Sequence, residues 1–233
     1  MDGRATEERP PWGYARLLAG RLAAATSALD IDTGGGEVVA EAATLPPRMC
    51  VTEAWAPNAA RARALLGPRG VEVAVPTEEG VLPFDDGTFD LVTARHPVDP
   101  PWAEIRRVLA PGGTYFAQHV GPGSAAELIE HFLGPPPPGK GRRHPDVEVE
   151  AATAAGLTVV DLRTARGRVE FFDIGAVVYI LHKCVWWVPD FTVARYDDRL
   201  RALDRRIRRD GVFLAHSTRH LIEARRADGD SLS

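Results

Sequence analysis

Between residues 28 and 37 the chain reads Ala-Leu-Asp-Ile-Asp-Thr-Gly-Gly-Gly-Glu. A short apolar run enters a three-glycine turn, and helix-compatible residues follow. Such a junction suits a strand buried in a sheet, a turn with φ > 0 positions, and a backbone that a ligand can approach closely. A helix over 37–43 (EVVAEAA) is expected to start there, with unpaired N–H groups facing the turn. The same junction also fits an ordinary strand-to-helix turn with no ligand.

The rest of the first half repeats the alternation. An amphipathic helix is expected over 13–25 and a strand over 27–31. A second strand follows at 49–52, then a helix over 58–66 opened by Pro57. Strands are expected at 71–75 and 89–94, a helix at 102–109 stopped by Pro111-Gly112-Gly113, and a strand at 114–120. Strands and helices in alternation imply crossover units and a mainly parallel sheet. In the second half we expect helices at 124–133 and 145–155 and a strand at 157–162. An apolar, aromatic stretch covers 177–187, an arginine-dense helix 195–209, and a last strand lies within 213–224. Four consecutive prolines, 135–138, favour a stiff extended hinge.

Composition removes several functions. The 233 residues carry a net charge of −4, which argues against a nucleic-acid partner, since phosphate neutralisation calls for basic excess. The stretch 195–209 is arginine-rich, but Asp197, Asp198 and Asp204 sit among the arginines at helical spacing, so a solvated, ion-paired face is expected. No apolar run is long enough to span a bilayer, and residues 1–12 contain no signal-like apolar core. Cys50 and Cys184 are the two cysteines. They offer neither a disulfide framework nor a cysteine zinc site, and both look like buried thiols, which suggests a reducing, cytoplasmic setting. No metal ligands are expected.

Glu53 lies at the end of the second strand, 17 residues after Gly36. An acid there can accept hydrogen bonds from both hydroxyls of a ribose. Its other reading is an exposed helix cap. His96 and His119 follow the fourth and fifth strands, at the carboxyl edge where open α/β sheets bind ligands. His96 is the better candidate for a general base, although a lone histidine is commonly structural. His119 is expected to satisfy a loop hydrogen bond.

Three pieces, LDIDTGGGE (29–37), LPFDDGTFDLVTARH (82–96) and EIRRVLAPGGTYFAQHVG (104–121), resemble class I S-adenosylmethionine-dependent methyltransferases of the broad bacterial type 11 group. The resemblance covers 28–121. It implies an α/β, Rossmann-like, seven-stranded, mostly parallel sheet in the order 3-2-1-4-5-7-6, with strand 7 antiparallel, flanked by helices and carrying helical insertions near the C-terminus. It further implies a single methyltransferase domain over 1–233. Within it, 1–26 is an N-terminal helix region, 28–121 the cofactor-binding core and 167–211 a substrate lid. S-adenosyl-L-methionine is the implied cofactor.

Carried over residue by residue, Asp30, Asp32, Thr33, Gly34, Gly35 and Gly36 form the turn under the methionine and ribose parts. Glu53 with Ala54 meets the ribose, and Trp55 stacks on the adenine or else packs in the core. Thr77, or Glu78, stands near the adenine amine. Arg95 and His96 line the methionine end and the acceptor mouth. Glycine is usual where this chain has Asp32, so Asp32 either pairs with the cofactor's ammonium or obstructs the pocket. The aromatic residues of 167–191 suit a flat, apolar small-molecule acceptor, or else form core or a homodimer contact. The implied activity is in-line methyl transfer to that acceptor. The alternatives are a non-catalytic cofactor-binding homologue and methylation of RNA or protein. A dinucleotide oxidoreductase is disfavoured, because the turn lacks G-x-G-x-x-G spacing.

Overall fold

A computed structural model describes residues 3–136 and 143–228. Its elements are β1 (Ala5–Glu7), α1 (Tyr14–Ala24), β2 (Ser27–Ile31), α2 (Glu37–Ala40), β3 (Arg48–Thr52), α3 (Ala56–Leu66), β4 (Glu72–Ala74) and β5 (Phe89–Arg95). They continue with α4 (Trp102–Val108), β6 (Leu109–Val120), α5 (Ala126–Leu133), α6 (Pro145–Ala154), β7 (Leu157–Phe171), α7 (Ile174–Lys183), α8 (Asp197–Asp210) and β8 (Phe213–Arg226). The strands pair in the order β1-β7-β8-β6-β5-β2-β3-β4. β2 is parallel to β3 and β5, β3 to β4, and β5 to β6, whereas β1 is antiparallel to β7. This is a mixed sheet of an α/β, Rossmann-like fold.

The seven-stranded expectation is corrected on two points. Eight strands are present among the described residues, and the order differs by β1, added outside β7. β1 is three residues long and mostly exposed, so no apolar pattern announces it. With β1 set aside, the other seven strands, counted in chain order, follow 3-2-1-4-5-7-6.

Other boundaries shift for local reasons. The helix expected over 37–43 is only the four residues Glu37–Ala40, so it brings no developed helix terminus to the glycine turn. Pro111-Gly112-Gly113 does not precede the fifth strand but lies inside it. Phe89 pairs with Leu109 and Leu91 with Thr114, so the intervening residues bulge out of β6. Gly113 fits because a Cβ there would stand 2.8 Å from the Ala110 carbonyl oxygen. β7 and β8 run past their expected ends to Phe171 and Arg226. Their alternating burial shows half-covered strands that an apolar-run reading truncates. The apolar stretch 177–187 is helical as far as Lys183. Of the proline run 135–138, Pro137 and Pro138 lie outside the described residues.

The chain divides into two compact units. One comprises Pro11–Val120, Arg142–Thr164 and His220–Ser233, the other Met1–Pro10, Gly121–Gly141 and Ala165–Arg219. The core of the first is built on Leu29, Ile31, Val92, Ile105, Tyr115 and Ile222. The second has its own core around Leu128, Phe171, Val177, Leu203 and Phe213, with Trp187, Phe191 and Tyr196 packed on it. In α8 Leu200, Leu203 and Ile207 face that core. The arginines pair along the helix, Arg201 with Asp197 at 2.7 Å and Arg208 with Asp204 at 2.8 Å. The solvated-face reading of 195–209 therefore holds. No helix of the described residues is long and apolar enough to cross a membrane.

Candidate functional site

β2 delivers the chain into the glycine turn, and the turn is held from within. Thr33 N–H donates to the Thr52 carbonyl at 3.0 Å and Gly36 N–H to the Thr33 carbonyl at 3.2 Å. Gly34 N–H donates to Glu53 Oε2 at 2.9 Å. Three turn N–H groups thus point into the protein, which is not how a pyrophosphate cradle is made. The glycines serve backbone shape and close approach instead. Gly34 has φ +64° with open space where a Cβ would stand, and Gly36 has φ +84° with Leu66 Cδ1 2.7 Å from its notional Cβ.

Glu53 is the pivot. Its carboxylate accepts from Gly34 N–H through Oε2 and from Trp55 N–H through Oε1, the latter at 2.8 Å. Each oxygen keeps a second lone pair. A buried acid so fixed can still accept one hydrogen bond per oxygen, as two vicinal hydroxyls would supply. Ala54 and Trp55 are exposed beside it, and Trp55, at 60% exposure, is not core. It caps the N-terminus of α3.

Asp32 follows β2 with φ +53°. The left-handed region favours glycine, and aspartate is among the side chains that tolerate it. Asp32 is solvent-exposed, yet surrounding protein holds its carboxyl above the ordinary range, and the Glu53 charge adds to this. Asp30 points the other way. It is buried and accepts from Thr93 Oγ1 at 2.6 Å. Burial lifts its carboxyl to about 6 against the hydrogen bond from Thr93, while Asp32 raises it and Arg95 lowers it. Thr33 Oγ1 and Thr52 Oγ1 are buried without a hydrogen-bond partner, although the Thr33 hydroxyl still favours the Asp30 anion.

Thr77 closes an exposed turn, its hydroxyl accepting from Val81 N–H at 3.2 Å. Glu78 is exposed next to it. Arg95, at the end of β5, is exposed and within electrostatic range of Asp30 and Tyr14. His96 comes next with φ +61° and donates its N–H to the Gln118 carbonyl at 2.7 Å.

Sequence reasoning missed a chain of three side chains here. Trp12 Nε1–H donates to Gln118 Oε1 at 2.7 Å, and Gln118 Nε2 lies 2.9 Å from His96 Nε2. An indole N–H only donates, so it fixes which end of the amide faces it. The amide NH2 then donates to His96, and His96 Nε2 is an acceptor. A proton cannot be taken up at that nitrogen without turning the Gln118 amide. Tyr14, also missed, donates its hydroxyl to the Ala94 carbonyl and stacks on Phe116. Tyr14 looked like part of an amphipathic helix and Trp12 like the end of the segment before it, and nothing local marked them as partners of residues 106 and 80 positions away.

His119 was expected to satisfy a loop hydrogen bond; it is instead a buried residue of β6 whose side-chain partners lie on a strand and a helix. Its Nδ1 lies 2.5 Å from Glu148 Oε2 and its Nε2 2.9 Å from the Tyr115 hydroxyl. His220 Nε2 shares the same Glu148 oxygen at 2.7 Å. Burial lowers His119 below the usual histidine range. Burial alone would raise Glu148, but the hydrogen bonds from His119 and His220 bring its carboxyl down to about 2. Glu148 also lines a cavity of about 490 Å³ with Val98, Asp99, Trp102, Arg143 and Val147.

Residues 29–117, which include most of this site, match the family model described as a methyltransferase domain. The segment therefore carries the resemblance to class I S-adenosylmethionine-dependent methyltransferases. A candidate methyltransferase from Bacillus halodurans C-125 has a similar structure, with TM-score 0.64 at 18% identity, covering 92% of this chain and 100% of that one. The [4+2]-cyclase SpnF gives TM-score 0.57 at 18% identity over 95% of this chain and 85% of that chain. Geranyl diphosphate methyltransferase in complex with SAM gives TM-score 0.55 at 16% identity over 92% and 84%. At these identities the structures establish a shared fold. No curated protein sequence matches the chain.

Proposed function

We propose that this chain transfers a methyl group from S-adenosyl-L-methionine to a small-molecule acceptor by in-line displacement, in a reducing, cytoplasmic setting. The observation that carries the reading is the Gly34 N–H to Glu53 bond of 2.9 Å. It ties the acid to the glycine turn and leaves acceptor capacity on both oxygens. The donor set suits the cofactor: Glu53 for the ribose hydroxyls, Trp55 for the adenine face, and Asp32 for the ammonium. Gly34 leaves room for close approach.

When bound, the cofactor supplies a methyl group on a sulfonium, with no metal required for the displacement. The chain's own task is alignment and exclusion of water. Arg95 and His96, at the end of β5, fall on the acceptor side. His96 is held by Gln118, so its role in the proposal is to position the acceptor. Removal of a proton through Nε2 requires the Gln118 amide to turn. A cavity of about 310 Å³ bordered by Val169, Phe171, Ile180 and Trp187 has the size for a small molecule.

The second reading is cofactor binding without methyl transfer. It is favoured by the occupied His96 Nε2 and by a [4+2]-cyclase on the same fold. Calorimetric titration with S-adenosylhomocysteine on wild type and Glu53→Gln tests the common part. We expect the variant to bind about ten- to a hundred-fold more weakly, as for loss of a charge-assisted contact. Equal affinity with the fold intact removes Glu53 from the site. Transfer of labelled methyl to a pool of small molecules then separates the two readings.

A further inference from the structure

We propose that His119, Glu148 and His220 form a binding site for one divalent transition-metal ion of the zinc or ferrous class. The inference is independent of the methyl-transfer reading. One ligand atom from each of the three side chains lies within 4.8 Å of the others, and all three residues are buried. Donors about 2.1 Å from a tetrahedral ion stand about 3.4 Å apart, so the two hydrogen bonds to Glu148, 2.5 and 2.7 Å long, open by about 1 Å or less to admit it.

The three come from separate elements of one unit. His119 is on β6, Glu148 on α6 and His220 on β8. They stand 29 and 72 positions apart, which is why sequence spacing gave no metal signal. Both imidazoles address the same Glu148 oxygen, Oε2, at 2.5 and 2.7 Å, so the three donor atoms converge on one point.

The surroundings are those of a ligand set. Tyr115 holds the far nitrogen of His119, and the Trp102 ring lies against both Tyr115 and His119. Outer partners of this kind fix ring orientation in metal sites. Two imidazoles and one carboxylate select a borderline ion over magnesium or calcium, which prefer all-oxygen cages. Three protein ligands leave at least one coordination position. The cavity that Glu148 shares with Trp102, Asp99 and Arg143 gives the ion an entry path and gives that position a water or a small-molecule oxygen.

The test uses the full-length, tag-free chain, dialysed against chelator and shown to be folded by circular dichroism. Zinc is titrated calorimetrically, and cobalt is followed by its visible d–d absorption, with magnesium as control. One zinc or cobalt per chain is expected, with no magnesium binding. Glu148→Gln is expected to weaken zinc binding at least a hundred-fold. If that variant does not fold, His220→Ala carries the test, since among the described residues the His220 side chain hydrogen-bonds to Glu148. A folded wild type that takes up no stoichiometric zinc or cobalt overturns the proposal. So does affinity unchanged in a folded variant, or uptake of magnesium in preference to zinc.

Discussion

Asp30→Asn is the substitution whose effect can be worked through furthest. Asp30 is 4% exposed and its carboxyl is raised to about 6 from an ordinary 3.8. The groups bearing on it are Thr93, Thr33, Asp32 and Arg95, and Tyr14 feels its charge in turn. A carboxyl whose folded value is raised destabilises the fold when ionised. The penalty is absent below the unfolded value, grows between the two, and is complete above the folded one. Two units correspond to about 3 kcal/mol. Asparagine cannot ionise, keeps the shape and still accepts from Thr93. The variant should therefore be more stable than wild type by up to about 3 kcal/mol near pH 7.5, and by about half of that near pH 5. Urea unfolding at the two pH values reads the difference directly. A variant less stable than wild type by the same amount at both would mean that Arg95 and the hydroxyls already stabilise the anion, and the reasoning fails.

Trp55→Ala should leave stability within about 0.5 kcal/mol, as for an exposed side chain, while weakening S-adenosylhomocysteine binding about threefold to tenfold through lost stacking; calorimetry and thermal melts check the two halves. Gly36→Ala should cost about 1–3 kcal/mol, since φ is +84° and a Cβ meets Leu66, and denaturant unfolding measures it. Asp32→Asn should weaken S-adenosylmethionine binding and leave methylthioadenosine, which lacks the ammonium, hardly affected; if Asp32→Gly tightens both ligands, the aspartate is an obstruction. Gln118→Leu leaves the Trp12 N–H and His96 Nε2 without their partners and should destabilise by about 1–3 kcal/mol, a loss that a melt of the variant would show.

The parts of the fold that were legible are those in which one local pattern matches one structural need. Ala28, Leu29 and Ile31 are apolar because β2 is buried between β3 and β5, and glycines follow because the chain turns at φ > 0 at Gly34 and Gly36. Ion pairs at four-residue spacing identified α8 as a solvated helix. β1 was not legible, because three mostly exposed residues acquire strand geometry only from the edge of β7. β7 and β8 were cut short for a related reason. Arginines and threonines on their open faces look like loop, whereas hydrogen bonding along the strands sets their length. The proline and glycines of 111–113 looked like a stop, yet a bulge accommodates them without ending β6.

The site divides along the same line. Glu53 and the glycine turn could be placed because both ends of their hydrogen bond sit at the carboxyl edge of neighbouring strands, where spacing along the chain maps onto distance in space. His96 could be placed but not given a role. Whether an imidazole can act as a base depends on what its nitrogens touch, and Gln118 and Trp12 decide that from β6 and from the residues before α1. An amide that swaps its oxygen for its nitrogen would reverse the chemistry of His96 without altering one residue near it. His119 shows the same dependence more strongly. Its neighbours in sequence, Gln118 and Val120, say nothing of Glu148 or His220, and an acid brought from α6 turns a solitary strand histidine into one of three convergent donors. Roles set by long-range partners are those that a linear reading assigns last, and in this chain the candidate base and the candidate metal ligands both belong to that class.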